Sequence, residues 1–266
     1  MKLFLDSLEI GLASVYAVTR SLVPEGPRRI VVFYHSVKDH QRGQFDRQMV
    51  YLAEQCAVVK PSRIRNATIQ NRKTLVAITF DDGFVSVLNN AVPILRKYGF
   101  TAAVCVPTGN LGKAPQWNLA ENCYDADERV MDQQQLCQLD QEGFELLSHG
   151  VRHVPLAGIP DSELWSELSH SKEQLEQILG HQVVGISYPH GSWDERVIAR
   201  AALAGYKCGF TIEPFPADAS RDDLTIGRTS VSPMESLFAF GLKAKGAYQV
   251  VGYTRLCKRR ILGLLR

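Results

Sequence analysis

Residues 74–83 read TLVAITFDDG, an apolar run that ends at once in two adjacent carboxylates, Asp81 and Asp82. The run is rich in apolar and β-branched residues, which favours a buried strand. Two neighbouring carboxylates in a partly buried place repel each other and lose hydration, and a fold bears that cost more readily when a cation, usually a metal ion, lies beside them. The stretch therefore predicts a buried strand with a charged site at its C-terminal end.

The strand at residues 74–80 is one of about seven strand-like segments that alternate with helix-like segments. The other strands are predicted near residues 29–36, 100–106, 144–148, 182–188, 206–212 and 224–231. This alternation indicates parallel β/α units, and the number of units favours a (β/α)7-type barrel in a single α/β domain over an open sheet. In such barrels the functional side chains gather at the C-terminal ends of the strands.

Composition and charge exclude several functional classes. The 266 residues are 45% hydrophobic and 22% charged, an ordinary globular composition, and the net charge of +2 is too small to indicate a nucleic-acid partner. The six cysteines form no C-x-x-C pair, and Asp6 and Glu9 interrupt the N-terminal apolar run where a signal peptide needs its core. No run approaches 18 apolar residues, so no transmembrane helix is predicted. We expect a cytoplasmic protein with reduced thiols.

The chain ends in a basic segment. We assign residues 1–28 to an N-terminal helical flank, 29–232 to the barrel and 233–266 to a basic amphipathic extension. A helix over residues 253–266 would set aliphatic side chains against basic ones, a pattern that suits peripheral contact with anionic lipid at the inner face of the membrane. The alternative is a helix packed on the barrel with its charges in solvent.

A histidine pair follows another predicted strand. In residues 148–156, SHGVRHVPL, His149 and His153 are separated by three residues, so one helical turn would place both rings on one side. Imidazole pairs at this spacing are common zinc ligands, with a carboxylate from elsewhere as the third. The alternatives are two exposed histidines and an ordinary Asp-Asp-Gly turn. The position of both motifs at strand C-termini of one barrel favours a metal site.

A third motif, in residues 187–197 (SYPHGSWDERV), also follows a strand. Pro189 and Gly191 favour a tight turn that can aim a backbone N–H into the cavity. An amide held in this way can stabilise an oxyanion, which is often the largest single contribution in acyl transfer.

Taken together and in this order, the three motifs resemble the metal-dependent polysaccharide deacetylase family, carbohydrate esterase family four. The segments FYHSV and SKEQLEQILG are also similar to that family, and the resemblance covers roughly residues 29–230. It implies a distorted barrel of β/α units and one divalent metal ion, usually Zn²⁺. It also implies hydrolytic removal of an N-acyl group, mostly acetyl, from an amino sugar.

The resemblance assigns roles to the first two motifs. Asp82 would bind the metal together with His149 and His153, and Asp81 would be the general base for the attacking water. Zinc held by three protein ligands keeps a position open for water and lowers the pKa of that water to about 7, so a neighbouring carboxylate can take the proton.

In the third motif, Tyr188, Pro189 and His190 form the substrate and oxyanion turn, with the backbone N–H of His190 as the donor implied by the family. Many family members carry an arginine two residues before the proline, where this chain has Ser187. Arg228, at the end of the last predicted strand, resembles an arginine of members that lack the first one, and it could hold Asp81 from another side. The alternative is a surface salt bridge.

The histidine that usually serves the family as general acid has no counterpart, because no histidine follows His190. His35, at the end of the first strand, would face the same cavity and is the favoured substitute, with a structural histidine as the alternative. His190 is the weaker candidate, because the family uses that position mainly through its backbone.

The segment 107–131 is long and polar for a β/α connection, and such loops are usually functional or mobile. Trp117 or Tyr124 could cover a substrate there. A plain surface insertion is the alternative.

These residues favour a hydrolase that acts on an N-acyl amino sugar in a polysaccharide or a lipid-linked glycan. A barrel that binds glycan and has lost turnover is the first alternative. Hydrolysis of a non-sugar amide is the second, because the site fixes the reaction class and the loops fix the substrate.

Overall fold

The computed structural model describes residues 2–21, 28–69, 71–117, 125 and 127–254. Tyr124 and residues 255–266, most of the predicted C-terminal amphipathic helix, lie outside the described residues.

The described residues form eight strands and seven α-helices in alternation. The strands are β1 Arg29–Tyr34, β2 Cys56–Val58, β3 Thr74–Phe80, β4 Ala103–Val106, β5 Glu145–Ser148, β6 Gly185–Ser187, β7 Cys208–Phe210 and β8 Thr229–Ser230. The helices are α1 Lys2–Ser21, α2 Arg42–Gln55, α3 Val92–Lys97, α4 Gln133–Gln141, α5 Asp161–Leu179, α6 Glu195–Leu203 and α7 Leu237–Ala244, and a π-helical turn, Val87–Ala91, precedes α3.

The strands form one parallel sheet in the order β7-β6-β5-β4-β3-β1-β8, and β2 pairs with the first half of β3. Residues 226–230 connect the two edges of this sheet. Ile226 exchanges backbone hydrogen bonds with Gly209 and Thr211 at the β7 edge, while β8 pairs with β1 at the other. The sheet is therefore curled on itself, and the predicted distorted barrel in a single α/β domain is confirmed. The seven predicted strands are all present, and the short β2 is the addition.

The alternation of side chains along β3 explains why this strand is apolar throughout. Val76, Ile78 and Phe80 belong to the large core under the helices, whereas Leu75 and Ala77 belong to a second core. This second core also contains side chains of β1, β4, β5 and β7, so it fills the inside of the barrel. Because both faces of the strand are covered, both sets are apolar.

Helices α1 and α7 cover the side of β1. Helix α7 contacts β1 and α2, and α1 packs against α7 and the chain after it through Ala13, Ala247, Tyr248 and Val251. The opposite face of α1 carries four aliphatic side chains with exposed fractions from 40% to 65%: Leu8, Leu12, Val15 and Val18. In the part of the chain that the structure describes, no helix has both the length and the apolarity that crossing a bilayer requires. The boundaries proposed at residues 28 and 232 stay a prediction.

Candidate active site

The sequence motifs meet at the C-terminal edge of the sheet. A cavity of about 400 Å³ opens there, and six of the predicted site residues line it: His35, Asp81, His149, His153, Tyr188 and His190. Asp82 lies against the two histidines at ligand distance, and Arg228 lies behind Asp81 in the barrel interior. Strands β1, β3, β5 and β6 thus each end at this site, and β8 reaches it through Ser230. Arg228 lies immediately before β8 and not, as the sequence had suggested, at the end of that strand.

The two imidazoles converge on one oxygen of Asp82. The Oδ1 atom of Asp82 lies 3.2 Å from Nε2 of His153 and 3.6 Å from Nε2 of His149. All three residues are buried, and their ligand atoms lie within 4.8 Å of one another. Asp82 has a left-handed backbone (φ 68°), a conformation that aspartate tolerates, which turns its carboxylate toward the histidines.

This Oδ1 atom accepts no hydrogen bond from any described residue, although it is fully buried. A buried carboxylate oxygen without a donor is costly, and a bound cation removes that cost. Two imidazole nitrogens and one carboxylate oxygen are also the ligand set of many catalytic zinc sites. The residues therefore fit one divalent metal ion.

A hydrogen bond at Nδ1 of His149 orients the ring so that its Nε2 can bind a metal ion. This Nδ1 lies 2.7 Å from the backbone oxygen of Ser187, so an Nδ1–H donates there and leaves the Nε2 lone pair facing Asp82. Burial, opposed in part by the nearby carboxylates, lowers the pKa of His149 to about 4. The ring is therefore neutral at pH 7, as a metal ligand must be.

The histidine pair does not lie on a helical turn, and that prediction was wrong. Residues 149–155 contain no helix, and Gly150 (φ 72°) and His153 (φ 57°) both have left-handed backbones. The amides of Val151 and Arg152 donate to the carboxylate of Glu167, on α5, instead of to a helical carbonyl. Sequence reasoning missed Glu167, whose signal is an acidic residue within the apolar stripe of α5.

Asp81 forms a buried ion pair with Arg228. Two parallel hydrogen bonds of 2.8 and 2.9 Å join the guanidinium to the two carboxylate oxygens. Burial alone would raise the pKa of Asp81, but the charges of Arg228 and His149 outweigh it and hold that pKa well below its usual range. Asp81 is therefore ionised at neutral pH. The surface salt bridge considered as an alternative for Arg228 is not what the structure shows.

The other donors of Arg228 are also satisfied. They reach Oγ1 of Thr79 (3.0 Å), the backbone oxygen of Thr211 (3.0 Å) and Oγ of Ser187 (2.7 Å), so all five N–H groups have an acceptor. The guanidinium also lies over the ring of Phe33, 4.5 Å from its centroid. Ser187 therefore takes part in holding Arg228 from the position where many family members have an arginine.

The turn after β6 forms one wall of the cavity. His190 (φ 57°) and Gly191 (φ 62°) both have left-handed backbones, and a Cβ on Gly191 would come within 2.3 Å of Ile212, so this position requires glycine. The hydroxyl of Tyr188 donates to the backbone oxygen of Leu224 (3.0 Å), while Pro189 is buried. The oxyanion and substrate roles of residues 188–190 stay predictions.

The side chains of His190 and His35 differ in their surroundings. The His190 ring packs on the His153 ring at 4.5 Å, and its Nε2 lies 3.2 Å from the His153 carbonyl oxygen. Partial burial and the neighbouring His153 lower the pKa of His190. Both histidines are exposed, but the His35 ring makes only a T-shaped contact with Phe33, at 5.8 Å. His35 is therefore the less constrained of the two predicted acids.

The cavity is the middle part of a longer cleft. A second cavity of about 580 Å³ shares His153 and His190 with it, and a third of about 490 Å³ shares Gly191 and Ile212. Trp117, which the sequence suggested as a cover for substrate, lines the second cavity and lies 4.5 Å from the His153 ring.

Sequence comparison identifies relatives of the chain. The family model for polysaccharide deacetylase matches residues 68–209. The protein YxkH of Bacillus subtilis (strain 168), which bears a polysaccharide deacetylase name, is 27% identical over 227 residues, 82% of this chain and 76% of YxkH. The poly-beta-1,6-N-acetyl-D-glucosamine N-deacetylase of Staphylococcus aureus (strain N315) is 25% identical over 169 residues, 60% of this chain and 55% of that enzyme. The chain thus matches about half the length of the staphylococcal enzyme.

Solved structures show the same fold. The Streptococcus pyogenes deacetylase PplD, in complex with acetate, superposes with a TM-score of 0.68 at 23% identity, over 83% of this chain and 99% of PplD. IcaB from Ammonifex degensii gives a TM-score of 0.70 at 21% identity, over 84% of this chain and 98% of IcaB. The family match spans more than half of the 266 residues and includes both the aspartate pair and the histidine pair. The chain therefore belongs to the polysaccharide deacetylase family, carbohydrate esterase family four.

Proposed function

We propose that the chain is a zinc-dependent hydrolase that removes an N-acyl group, most simply acetyl, from an amino sugar in a polysaccharide or a lipid-linked glycan. The observation that carries the proposal is the buried Oδ1 of Asp82, which faces two imidazole nitrogens and has no donor among the described residues. The neighbouring Asp81 is ionised and faces the same cavity. Family membership supports the same reaction class.

The residues divide the chemistry between them. A Zn²⁺ ion held by Asp82, His149 and His153 would supply a Lewis acid that polarises the acyl oxygen and acidifies water. Asp81 would take a proton from the attacking water, with its orientation fixed by the two hydrogen bonds from Arg228. The backbone N–H of His190 would donate to the oxyanion.

Metal content and turnover test this proposal. We expect about one zinc per chain by mass spectrometry of the wild type, and its loss in His149→Ala purified in parallel. Oligomers of β-1,6-linked N-acetylglucosamine are the first substrate to assay, because the staphylococcal relative is named for that polymer. Absence of metal after reconstitution, with no acetate released, would contradict the proposal.

A glycan-binding barrel without turnover is the second candidate, favoured by the absence of a histidine after His190. It predicts that metal and oligosaccharide bind while no acyl group is released. A parallel panel of N-acyl sugars and simple amides separates this candidate from the hydrolase, and separates sugar from non-sugar substrates.

His35 is our candidate for the general acid that protonates the leaving amine. General acids contribute on the order of 10²–10⁴-fold, so we expect His35→Ala to lower kcat by about that factor. Metal content should not change, because the ligand set does not include His35. Unchanged turnover in His35→Ala would remove the acid role.

We propose a cytoplasmic protein with peripheral membrane contact. Residues 255–266 contain five basic residues and no acidic one. They follow residues 249–254, which are helical and whose Val251 packs against Ala13 of α1. The exposed aliphatic face of α1 would add apolar contact with the lipid interface. Buried free thiols at Cys56, Cys105 and Cys208 favour a reducing compartment.

Flotation with anionic and neutral liposomes tests the membrane contact. The full chain should float with anionic vesicles, and the triple variant K258Q/R259Q/R260Q should float less. Equal flotation of both proteins would contradict the contribution of the basic segment.

A further inference from the structure

The loop that carries both histidine ligands is attached to α5 by one carboxylate. Glu167 is 2% exposed, and its Oε2 accepts hydrogen bonds from the backbone amides of Val151 (2.7 Å) and Arg152 (3.0 Å). Its Oε1 accepts a third, from Nε of Arg152 (2.6 Å). Both amides belong to residues that lie between His149 and His153.

The local sequence permits this close approach. Gly150 has φ 72°, and a Cβ at this position would come within 3.1 Å of Glu167 Oε2. On its other side the loop accepts hydrogen bonds from the amides of Thr108, to the Gly150 oxygen (3.1 Å), and Gly109, to the Val151 oxygen (2.9 Å). The loop is thus held on one side by a charged group and on the other by backbone.

The position of Glu167 on α5 shows that its carboxylate is not an ordinary surface charge in contact with solvent. It lies between Leu164 and Leu168 on the buried stripe of the helix, where an apolar side chain would pack at lower cost. A buried carboxylate persists when its oxygens are fully hydrogen-bonded. Here the donors to the Glu167 carboxylate are the amides of Val151 and Arg152. The backbone of these two residues connects His149 to His153 and so sets the separation of the two rings.

We propose that Glu167 is a positioning residue for the metal centre: its carboxylate fixes residues 149–153 so that the Nε2 atoms of His149 and His153 face Asp82. The inference rests on the metal site of the proposed function. A loop ordered before metal binding loses less conformational entropy when the ion binds, so the affinity for metal is higher. Groups that orient metal ligands typically contribute 10- to 100-fold in metal affinity.

The test compares Glu167→Gln with Glu163→Gln. Glutamine keeps the size of Glu167 but sets an NH₂ group against N–H donors. Glu163 provides the matched control, because it binds the same Arg152 side chain (2.8 Å) at the protein surface. Competition with a chromophoric chelator measures the Kd for Zn²⁺. We expect Glu167→Gln to weaken binding by about 10- to 100-fold and Glu163→Gln to leave it near the wild-type value.

The visible spectrum of bound Co²⁺ is a second measurement, and a general loss of stability would not change it. The visible absorption of bound Co²⁺ reports ligand geometry, and we expect it to change in Glu167→Gln and not in Glu163→Gln. A folded Glu167→Gln protein with wild-type Zn²⁺ affinity and cobalt spectrum would overturn the inference and leave the proposed function intact. A wild type that binds no metal would overturn both.

If circular dichroism shows that Glu167→Gln is unfolded, Glu167→Asp replaces it. Aspartate keeps the charge and shortens the reach to the amides of Val151 and Arg152. An intermediate Zn²⁺ affinity is the expected result, and wild-type affinity in this variant would overturn the inference.

Discussion

Asp81 and Asp82 are adjacent in sequence and equally buried, each 4% exposed, yet their surroundings are opposite. Both oxygens of Asp81 accept hydrogen bonds from Arg228, whose five donors are all used. The Oδ1 of Asp82 faces only imidazole nitrogens and has no donor within the described part of the chain. The protein therefore neutralises one carboxylate by itself and leaves the other for a cation.

The backbone is what separates the two side chains. Asp81 continues the pairing of the strand edge, with its amide bonded to the Tyr34 carbonyl (2.9 Å), and its side chain points into the barrel. Asp82 turns away because its backbone is left-handed. A bound ion at Asp82 should also stabilise the fold, because a ligand that binds only the native state shifts the unfolding equilibrium.

The largest effect is expected from Asp82→Asn. Asparagine keeps the shape of the side chain but removes the charge that faces His149 and His153, so we expect loss of bound metal and turnover at background. Mass spectrometry of metal content and an acetate-release assay measure both. An Asn variant that keeps wild-type metal stoichiometry would show that the charge of Asp82 is not needed to hold the ion.

The buried ion pair between Asp81 and Arg228 predicts a loss of stability when the arginine is replaced. Arg228→Met leaves Asp81 charged, buried and without its partner, and removal of one member of such a pair costs about 3–5 kcal/mol. Urea denaturation measures the free energy of unfolding. Arg228→Lys, which keeps the charge without the planar fork, should lose less stability. Equal stability of the wild type and Arg228→Met would contradict this account.

His149 predicts the pH dependence of the metal-free protein. Its folded pKa of about 4 lies below its ordinary value of 6.5, so the unfolded state binds the proton first. The contribution of His149 to stability is therefore full above pH 6.5, and about 3 kcal/mol of it is lost as the pH drops toward 4. The depressed pKa of Asp81 changes stability only below pH 3.8, the ordinary pKa of aspartate, and therefore outside this pH range.

Thermal melts of metal-free wild type and His149→Gln between pH 4 and 8 measure this contribution. The decrease in Tm between pH 6.5 and 4 should be smaller in the variant. Parallel curves would show that another group controls the pH response.

Ser187→Ala should have the smallest effect. It removes the side-chain acceptor of one Arg228 donor but keeps the backbone oxygen that binds His149. An unsatisfied buried donor costs about 1–3 kcal/mol, so we expect a modest loss in the free energy of unfolding with metal content unchanged. Loss of metal in this variant would show that the Asp81 and Asp82 halves of the site are coupled.

The metal triad could be predicted because each ligand follows a strand, and parallel strands end at one edge. Asp82, His149 and His153 come together for that reason. The local conformation of the His149–His153 loop could not be predicted in the same way. Spacing alone suggested a helical turn, whereas the loop takes its shape from Glu167, which is on another element.

The alternation of strands and helices, the family and the identity of the metal ligands follow from the sequence, because they depend on local patterns and on motifs of a few residues. The folded chain was needed to see that Arg228 meets both oxygens of Asp81 across 147 positions of sequence and that Ser187 completes its hydrogen bonds. Such contacts depend on the curl of the sheet, which brings β8 beside β1 and places the guanidinium inside the barrel. No local spacing encodes that distance.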